Sequence, residues 1–298
     1  MTLTYSEINL IERSREVSKS QEYSYIHLLR DILEDGIEVP NRTGINALTL
    51  PHAQLSFNLE NGFPLFTHKK MAKKTMAVEL QGFIGGITDK SWYQSRGCNI
   101  WNEWCSPAKV KYGNDPDSKM KMREENDLGK IYGYQWRNFN SQGFDQLKFI
   151  VNQLKTNPNN RQLVCSAWNP NEQPEMALPP CHILWNVTVL DGKLNLCWFQ
   201  RSCDMALGVP FNVASYGLLL HLLCKETGLK EGKLTGFLSN CHIYTNQITS
   251  VREVINREIF QFPRLKTDKF SSIFEWEATD TQFLDYKCGD SIAIPIAV

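Results

Sequence analysis

A cysteine preceded by two prolines is the feature of this sequence that points most directly to chemistry. The run LPPCH occupies positions 178–182, and its prolines fix the backbone just before Cys181, at the head of a predicted strand. A nucleophilic cysteine needs a partly exposed, electropositive position that favours the thiolate. Arg201 ends the predicted returning strand and supplies that charge if the register allows. The alternative is a buried cysteine without a chemical role.

Two more polar side chains, Glu79 and Asn212, are candidates for a functional role because of their sequence surroundings. Glu79 lies between Val78 and Leu80 in an apolar helical run. A carboxylate is costly there unless it faces a polar cavity, so the pattern predicts a general acid or base. Asn212 precedes a predicted helix and is either its N-cap or an amide that faces a ligand; the two roles are compatible.

The elements that must position these groups are both helices and strands. Apolar periodicity predicts helices over Glu22–Glu34, Lys73–Phe83, Val213–Lys225 and Asn246–Arg257, with glycines as stops at Gly36, Gly85-Gly86 and Gly228. A further amphipathic helix ends before Pro158 and uses Phe144, Leu147, Ile150, Val151 and Leu154.

Strands are predicted over Ala47–Leu59, His182–Leu190 and Lys193–Arg201. The last two are joined by Asp191-Gly192, a strong signal for a tight hairpin. This mixture of elements predicts an α/β or α+β domain with a mixed sheet.

Composition excludes several classes of protein. With 298 residues, 42% hydrophobic and 21% charged, the chain is neither disordered, collagen-like nor a small disulfide scaffold. Thirty-two lysines and arginines balance 32 aspartates and glutamates, which argues against DNA or a membrane surface as partner. We expect residues 1–21 to form a polar extension and 22–298 a single domain.

Cysteine usage predicts the compartment. The nine cysteines form no Cys-x-x-Cys pair and no zinc-like spacing with histidine, so we expect no metal and reduced thiols in a cytoplasmic protein. The N-terminus lacks the apolar segment of a secretory signal, and no run approaches the ~18–20 apolar residues of a membrane helix.

Motifs spread along most of the chain resemble those of the thymidylate synthase family, in the family's order and at similar spacing. They are NRTG at 41–44, IWNEW at 100–104, YGYQWR at 132–137, SAWN at 166–169, LPPCH at 178–182, QRSCD at 200–204, GVPFNVASY at 208–216 and HIY at 242–244. The resemblance runs from about Glu22 to Val298 and includes the closing Ile-Ala-Val pattern.

The resemblance implies a homodimer joined through the faces of two sheets and a methyltransferase of dTMP biosynthesis. Its reaction is reductive methylation of dUMP at carbon 5 by 5,10-methylenetetrahydrofolate, which yields dTMP and dihydrofolate. It makes Cys181 the nucleophile that adds to carbon 6. Arg201 lowers the pKa of that thiol and also holds the phosphate. Arg42 and Ser202 join it there, and Arg161 reaches the phosphate from the partner subunit.

The remaining roles in nucleotide binding and proton transfer also follow from the resemblance. Asn212 reads the pyrimidine edge and favours dUMP over dCMP, because an amide can accept from ring nitrogen 3 and donate to oxygen 4. His242 and Tyr244 hold the sugar 3′-hydroxyl. Glu79 is the general acid/base, and Tyr132 helps to order water and remove the proton at carbon 5.

For the folate, the resemblance implies that Asp204 contacts the pterin. Glu79 also faces the folate, and its walls are implied to be Trp101, Trp104, Leu178, Gly208 and Val298. Considered alone, the two tryptophans are more often core residues than ligand contacts.

The chain departs from the family pattern at a few positions. Gln162 follows Arg161 where a second arginine is usual, so either Lys69 or Lys70 compensates or the second arginine is dispensable. Gly82 takes a place often filled by tryptophan along the folate groove. Ser239-Asn240 replaces a glycine followed by an acidic or amide residue.

Two alternatives to the synthase stay open. A hydroxymethylase acting on dUMP, or on dCMP, forms the same intermediate and lets water add in place of hydride. The choice depends on how well the site excludes water. A non-catalytic binder of nucleotide or RNA is the other alternative, and the neutral charge together with Cys181, Glu79 and Asn212 argues against it.

Overall fold

The computed structural model describes residues 5–296, with side chains described for residues 16, 17 and 19–296. Its helices are α1 (Tyr5–Asp35), α2 (Lys73–Gly85), α3 (Lys90–Ser95), α4 (Pro116–Glu124), α5 (Tyr132–Arg137), α6 (Gln146–Thr156), α7 (Gly208–Thr227) and α8 (Ile248–Val254). Short 3₁₀ turns lie at Leu59–Asn61, Gln173–Glu175, Thr245–Gln247, Ile273–Glu275 and Ala278–Asp280.

Local sequence explains where several helices begin and end. The side chains of Asp89, Asp115 and Asp145 accept backbone N–H groups at the starts of α3, α4 and α6, as N-cap residues do. Gly86 and Gly228 end α2 and α7 in the left-handed conformation, with φ of +68° and +73°. The predicted glycine stops of these two helices are confirmed.

The strands are β1 (Ile37–Val39), β2 (Ala47–Asn58), β3 (Val164–Ser166), β4 (His182–Leu190), β5 (Lys193–Gln200), β6 (Cys203–Asp204), β7 (Lys230–Tyr244), β8 (Arg264–Thr267) and β9 (Thr281–Leu284). Seven form one sheet in the order β1-β2-β7-β5-β4-β3, with β6 beside β7. The β5–β7 and β6–β7 pairs are parallel and the others antiparallel. The predicted mixed sheet is therefore confirmed, and β8–β9 is a separate two-stranded sheet.

One face of the large sheet is the floor of the hydrophobic core. Phe57, Leu196 and Leu234 are neighbours in register on that face and are buried. Helices α1 and α7 pack on the sheet, and α2 packs between α7 and α5. Because α7 makes the crossover from the β5–β6 region to β7, its N-terminus lies at the sheet end where β4 begins and β5 ends.

The β4–β5 hairpin follows its sequence signal closely. Asp191 and Gly192 both adopt positive φ, +51° and +71°, which is the conformation that a two-residue hairpin turn of this kind requires. The predicted strands are confirmed to within one residue.

Three local expectations are wrong. Helix α1 begins at Tyr5, well before the expected Glu22, because no proline or glycine interrupts residues 5–21. Phe144 is 52% exposed and precedes α6, since Asp145 caps that helix after it. Asn212 is not an N-cap, because α7 already begins at Gly208 and Asn212 lies in its second turn.

Residues 5–296 contain no helix that is both long enough and apolar enough to cross a membrane.

Candidate active site

The β4–β5 hairpin brings Cys181 and Arg201 together. His182 pairs with Gln200, and the backbone N–H of Arg201 donates to the carbonyl of Cys181 at 2.8 Å. The Arg201 side chain turns back on the proline run, where Nε donates to Pro180 O at 2.9 Å and one Nη donates to Pro179 O at 3.0 Å. The prolines therefore hold the guanidinium beside the cysteine, and three of its five N–H groups remain for a ligand.

The electrostatic environment of Cys181 has opposing parts. Burial raises the pKa of the thiol above its usual value, while Arg201, the Tyr132 hydroxyl and Arg42 act to lower it. Since burial prevails, the pKa of the thiol lies above neutrality. The arginines supply the charge that favours the thiolate when it forms.

Tyr132, the first residue of α5, contacts both Cys181 and the ring of His182. The Tyr132 hydroxyl accepts the backbone N–H of Cys181 at 2.8 Å, and the Tyr132 ring stacks on His182 with centroids 4.2 Å apart. His182 Nδ1 lies 2.7 Å from the Tyr216 hydroxyl. Burial lowers the pKa of His182 to about 3, so its imidazole is neutral. Neither His182 nor Tyr216 was predicted to have a role. Their places in the LPPCH and GVPFNVASY motifs are the sequence signal that could have identified them.

The amide of Asn212 is fixed by Gln200 at the end of β5. Gln200 Nε2 donates to Asn212 Oδ1 at 3.0 Å and to the carbonyl of Ser202 at 3.1 Å, while its own Oε1 accepts from Trp198 Nε1 at 3.2 Å. Each atom of the Gln200 amide is thus engaged, which sets the orientation of Asn212. Among the described residues, this bond to Gln200 is the contact that fixes the Asn212 side chain.

Strand β6 places Asp204 beside the end of β7. Asp204 pairs with His242, and its Oδ1 accepts the N–H groups of Ala206 and Leu207, both at 3.1 Å. Burial raises the pKa of Asp204 in spite of these bonds. A Cβ built on Gly208 would lie 3.7 Å from Asp204 Cβ and 3.9 Å from Asn212 Oδ1, so this glycine lies between the two side chains.

His242 and Tyr244 lie on the same end of β7, with ring centroids 5.0 Å apart. His242 Nδ1 lies 2.9 Å from both the carbonyl and the side-chain oxygen of Asn240. These acceptors place the proton on Nδ1 and leave Nε2 as an acceptor. Asn240 has a φ of +51°, a conformation that asparagine tolerates better than most residues. An asparagine therefore suits the backbone at position 240.

Glu79 faces Trp101 in the interior. It is 8% exposed, and burial raises its pKa to about 7, with the Trp101 indole acting in the opposite direction. Trp101 is 4% exposed, and its buried Nε1 has no partner at hydrogen-bonding geometry among the described residues. A carboxyl group with a pKa near neutrality is suited to both giving and taking a proton. The expected site character of Glu79 is consistent with this placement.

Trp104 lines a cavity. Its ring centroid is 6.0 Å from that of Tyr112, and both rings line a cavity of about 510 Å³ together with Arg42. Arg42 is exposed, yet it lies close enough to lower the pKa of Cys181 and Tyr244. Arg42 therefore lies between this cavity and the cysteine.

Lys90, a buried lysine that the sequence did not predict, holds the segment that carries Trp101 and Trp104. Lys90 has no exposed surface, and its Nζ donates to the carbonyls of Asn102 at 3.3 Å, Trp104 at 3.2 Å and Met122 at 2.9 Å. Burial lowers its pKa. A lysine between Asp89 and Ser91 has no sequence signal of burial, since lysine is normally exposed.

The other predicted residues are less closely gathered. Ser202 follows Arg201 and is half-buried, as is Leu178 before the prolines. Arg161 is exposed on the connection between α6 and β3. Val298 lies outside the described residues.

The structure bears on two further departures from the family pattern, those at positions 162 and 82. Lys69 is buried, burial lowers its pKa to about 8, and its Nζ donates to Ala206 O at 2.8 Å. Its ammonium group is therefore bound in the interior and does not replace a surface arginine at position 162.

A Cβ on Gly82 would lie 2.3 Å from the Tyr93 ring, so Tyr93 occupies the space that a side chain would need.

Within the described residues, no group of three or more His, Cys, Asp or Glu side chains is arranged to hold a metal ion. This part of the fold brings together a cysteine beside arginines, a buried carboxyl group with a pKa of about 7 and an oriented amide, which are residue types that can carry covalent and acid–base chemistry.

Comparison with known proteins identifies the family. The family model described as thymidylate synthase matches residues 23–298. The chain is 37% identical to thymidylate synthase of Listeria monocytogenes over 311 aligned positions, which cover 92% of this chain and 99% of that protein. It is 35% identical to a bifunctional dihydrofolate reductase-thymidylate synthase of Paramecium tetraurelia, over 97% of this chain and 64% of that protein. This chain belongs to the thymidylate synthase family, which is a family of methyltransferases.

Proposed function

We propose that the protein converts dUMP and 5,10-methylenetetrahydrofolate into dTMP and dihydrofolate. The observation that carries this proposal is the arrangement around Cys181. Arg201 is held beside the thiol by Pro179 and Pro180, and Tyr132 binds the cysteine's backbone N–H. Carbon 5 of uracil is a poor nucleophile, so a thiolate must first add to carbon 6, and this site is built to supply one.

The proposed first step is attack of the Cys181 sulfur on carbon 6 of dUMP. The thiol releases its proton to solvent as the nucleotide binds, and Arg201 and Arg42 offset the charge of the thiolate. The S–C6 bond then forms as the C5–C6 double bond opens, which leaves an enolate at carbons 4 and 5. Glu79, with a pKa of about 7, exchanges protons with the pyrimidine through ordered water. Tyr132 is proposed to hold that water and to assist removal of the proton at carbon 5.

The pyrimidine is proposed to bind Asn212. Because Gln200 fixes Asn212 Oδ1 with one hydrogen bond, the second lone pair of that oxygen can accept from ring nitrogen 3. The Asn212 amide nitrogen then donates to oxygen 4. A carboxylate would suit cytosine better, so the amide favours dUMP over dCMP. His242 Nε2 and the Tyr244 hydroxyl are proposed to bind the 3′-hydroxyl of the sugar.

The phosphate is proposed to bind Arg201, Arg42 and Ser202. Two N–H groups of Arg201 are used by the proline carbonyls, and the remaining three suit a dianion. Arg42 is exposed and adjacent, so it can close over the phosphate. Arg161 is proposed to complete this site from a second copy of the chain.

The folate is proposed to lie between Glu79, Trp101 and Asp204, with Gly208, Leu178, Trp104 and Val298 as further walls. When bound, it supplies the one-carbon unit and the hydride. The unpartnered Nε1 of Trp101 and the buried Asp204 carboxyl fit a ring system with polar edges, since each lacks part of its usual hydrogen bonding or hydration. Asp204 would bind the pterin, and Trp101 would exclude water.

A homodimer is proposed from the uncovered face of the large sheet. Phe199 and Phe237 are direct neighbours in the parallel β5–β7 pair, and they are 37% and 44% exposed. Their neighbours in register along the same face are Cys197 and Thr235. Sheets with parallel strands are usually covered on both faces, and a second copy of this sheet would bury the phenylalanines.

The proposed compartment is the cytoplasm. All nine cysteines lie within the described residues and are free thiols, which persist in a reducing environment. Neither DNA nor a membrane is proposed as a partner, because positive and negative side chains balance at 32 each.

Chromatography of the product from dUMP and methylenetetrahydrofolate tests the proposed activity. A synthase gives dTMP together with the absorbance change of dihydrofolate formation. Release of tritium from carbon 5 with 5-hydroxymethyl-dUMP as product, and no dihydrofolate, would replace the synthase by a hydroxymethylase that uses the same residues. Nucleotide binding without any product would contradict both.

A further inference from the structure

Gln247 connects three parts of the proposed site through one buried amide. Its side chain has no exposed surface. Oε1 accepts the backbone N–H of Tyr244 at 3.2 Å, while Nε2 donates to Asp204 Oδ2 at 3.3 Å and to the carbonyl of Pro295 at 3.0 Å. The amide therefore contacts the strand that carries the sugar-binding pair, the proposed pterin carboxylate and the C-terminal segment, here residues 289–296.

The C-terminal segment has other anchors, which bind only its backbone. Ser250 Oγ donates to Ala293 O at 2.9 Å, and one Nη of Arg257 donates to Asp290 O at 2.6 Å. The N–H of Gly289 donates to Thr67 O at 2.8 Å. Of these anchors, Gln247 also donates to a proposed site residue, because its Nε2 binds both Pro295 O and Asp204 Oδ2.

The geometry of an amide links the two acceptors. The two hydrogens of Nε2 point in fixed, divergent directions, and Oε1 is held by Tyr244, so the amide cannot rotate freely. If the segment withdraws, a buried N–H loses its acceptor, which is unfavourable. Asp204 Oδ1 is already bound by two backbone N–H groups, which leaves Oδ2 to be oriented by Gln247.

We propose that Gln247 is a positioning residue that couples docking of the C-terminal segment to the orientation of the Asp204 carboxyl group. With the segment in place, both amide hydrogens are satisfied and Oδ2 is fixed. This inference rests on the proposed function for the role of Asp204 toward the folate, whereas the coupling itself is a property of the free protein.

The test uses Gln247→Glu, which keeps an oxygen for the Tyr244 N–H and replaces the donor by a second oxygen. Gln247→Met, of similar length, removes all three bonds and cannot regain a donor by protonation. Ser250→Ala is the matched control, since it removes one bond to the segment and leaves the amide intact. Hydrogen exchange in residues 289–296 is measured without ligands. The KM values for dUMP and folate and the ratio of reduction to tritium release are measured with them.

Both Gln247 variants should exchange faster in residues 289–296, and their KM for the folate should rise about tenfold, the effect of weakening one or two hydrogen bonds. In Gln247→Glu, which keeps an oxygen for the Tyr244 N–H, the KM for dUMP should stay within about twofold, and reduction should slow more than tritium release. Ser250→Ala should change the KM for folate by less than about twofold, because Asp204 keeps its donor.

Unchanged exchange and unchanged folate KM in both Gln247 variants would overturn the proposal. Equal rises in both KM values would also overturn it, because they would indicate a general structural role. A wild-type protein that neither releases tritium nor forms dTMP would instead contradict the proposed function, while faster exchange in the variants would still support the coupling.

Discussion

The two halves of the proposed site are constructed differently. On the nucleotide side, Cys181, Arg201 and His242 lie at strand ends and are placed by the pairing of β4, β5, β6 and β7. On the folate side, Trp101 and the C-terminal segment lie outside the sheet. Lys90 holds the segment with Trp101, and a few side chains, among them the buried Gln247, hold the C-terminal segment. A sheet fixes several groups at once, whereas each loop depends on its own anchors.

The halves also differ in charge. The nucleotide side presents the permanent cations of Arg201 and Arg42 around a thiol. The folate side presents two carboxyl groups, Glu79 and Asp204, whose pKa values are raised by burial. We therefore expect mutations on the nucleotide side to act on covalent chemistry and phosphate binding. Mutations on the folate side should act on proton transfer and on folate binding.

The largest effect should come from Cys181→Ser. A hydroxyl is far less ionised than a thiol at neutral pH, so turnover should fall about 10⁴-fold or more, as expected when a nucleophile is removed. Affinity for dUMP, measured by calorimetry, should be largely retained. Cys288→Ser provides the same chemical change at a half-buried thiol elsewhere and should be active. Near-normal turnover by Cys181→Ser would assign the nucleophile to another residue.

Replacing Glu79 by glutamine should lower turnover about 10²- to 10³-fold, because the proton exchanger is lost. It should also change how stability depends on pH. The folded carboxyl has a pKa of about 7 against an unfolded value of 4.5, so the folded state binds more protons between these values. The wild-type free energy of unfolding should therefore fall as pH rises through this window.

The Glu79→Gln protein should lack that fall, which amounts to about 3 kcal/mol for a shift of this size. Urea unfolding of both proteins at pH values below, within and above the window measures the difference. Parallel pH profiles for the two proteins would show that Glu79 ionises normally in the fold. Glu79 would then no longer distinguish the folate side, with its raised carboxyl pKa values, from the nucleotide side.

Lys90→Met should affect the folate side alone. Three backbone carbonyls lose their donor, so the segment with Trp101 and Trp104 should loosen and the KM for folate should rise about tenfold. The dissociation constant for dUMP should change less than about twofold, since strand register is untouched. Lys109→Met is the control, an exposed lysine on the same segment. Equal losses for both ligands would show that Lys90 supports the whole fold.

The smallest loss of activity relative to wild type should appear in hybrid dimers. Arg161→Ala and Cys181→Ala subunits are each inactive in the proposed dimer, but a hybrid has one site with both groups. Random reassociation should restore about one quarter of wild-type activity, because half of the dimers are hybrids with one intact site. Verified hybrids without activity would mean that each subunit completes its own phosphate site.

Local patterns were sufficient for much of the fold. The Asp191-Gly192 turn and the glycine ends of α2 and α7 depend on residues adjacent in sequence, and the structure has them where predicted. The start of α1 was missed because its polar first half carries no apolar stripe, although nothing in it stops a helix. Phe144 fits the stripe of α6, but the cap at Asp145 excludes it from the helix.

In the candidate site, the sequence predicted the residues that could carry chemistry. It did not predict Lys90 and Gln247, the buried side chains that hold the neighbouring segments. Cys181, Glu79 and Asn212 stand out because their types are unusual for their surroundings. Lys90 and Gln247 look like ordinary surface residues, because their acceptors lie 12 to 48 positions away in sequence. Periodicity reports neighbours three or four positions apart and carries no information about such long-range bonds.

The pairing of β2 with β7 has a consequence for the order of folding. Ala47 pairs with Tyr244 and Asn58 with Lys233, so the central sheet closes only when segments nearly 200 residues apart have met. The β4–β5 hairpin, by contrast, forms from local contacts, and long-range pairing of this kind is slow. A chain synthesised only as far as α7 therefore contains the nucleophile but lacks His242 and Tyr244. Under the proposed function, nucleotide would stabilise the completed fold by mass action, and this shorter chain would gain no such stabilisation.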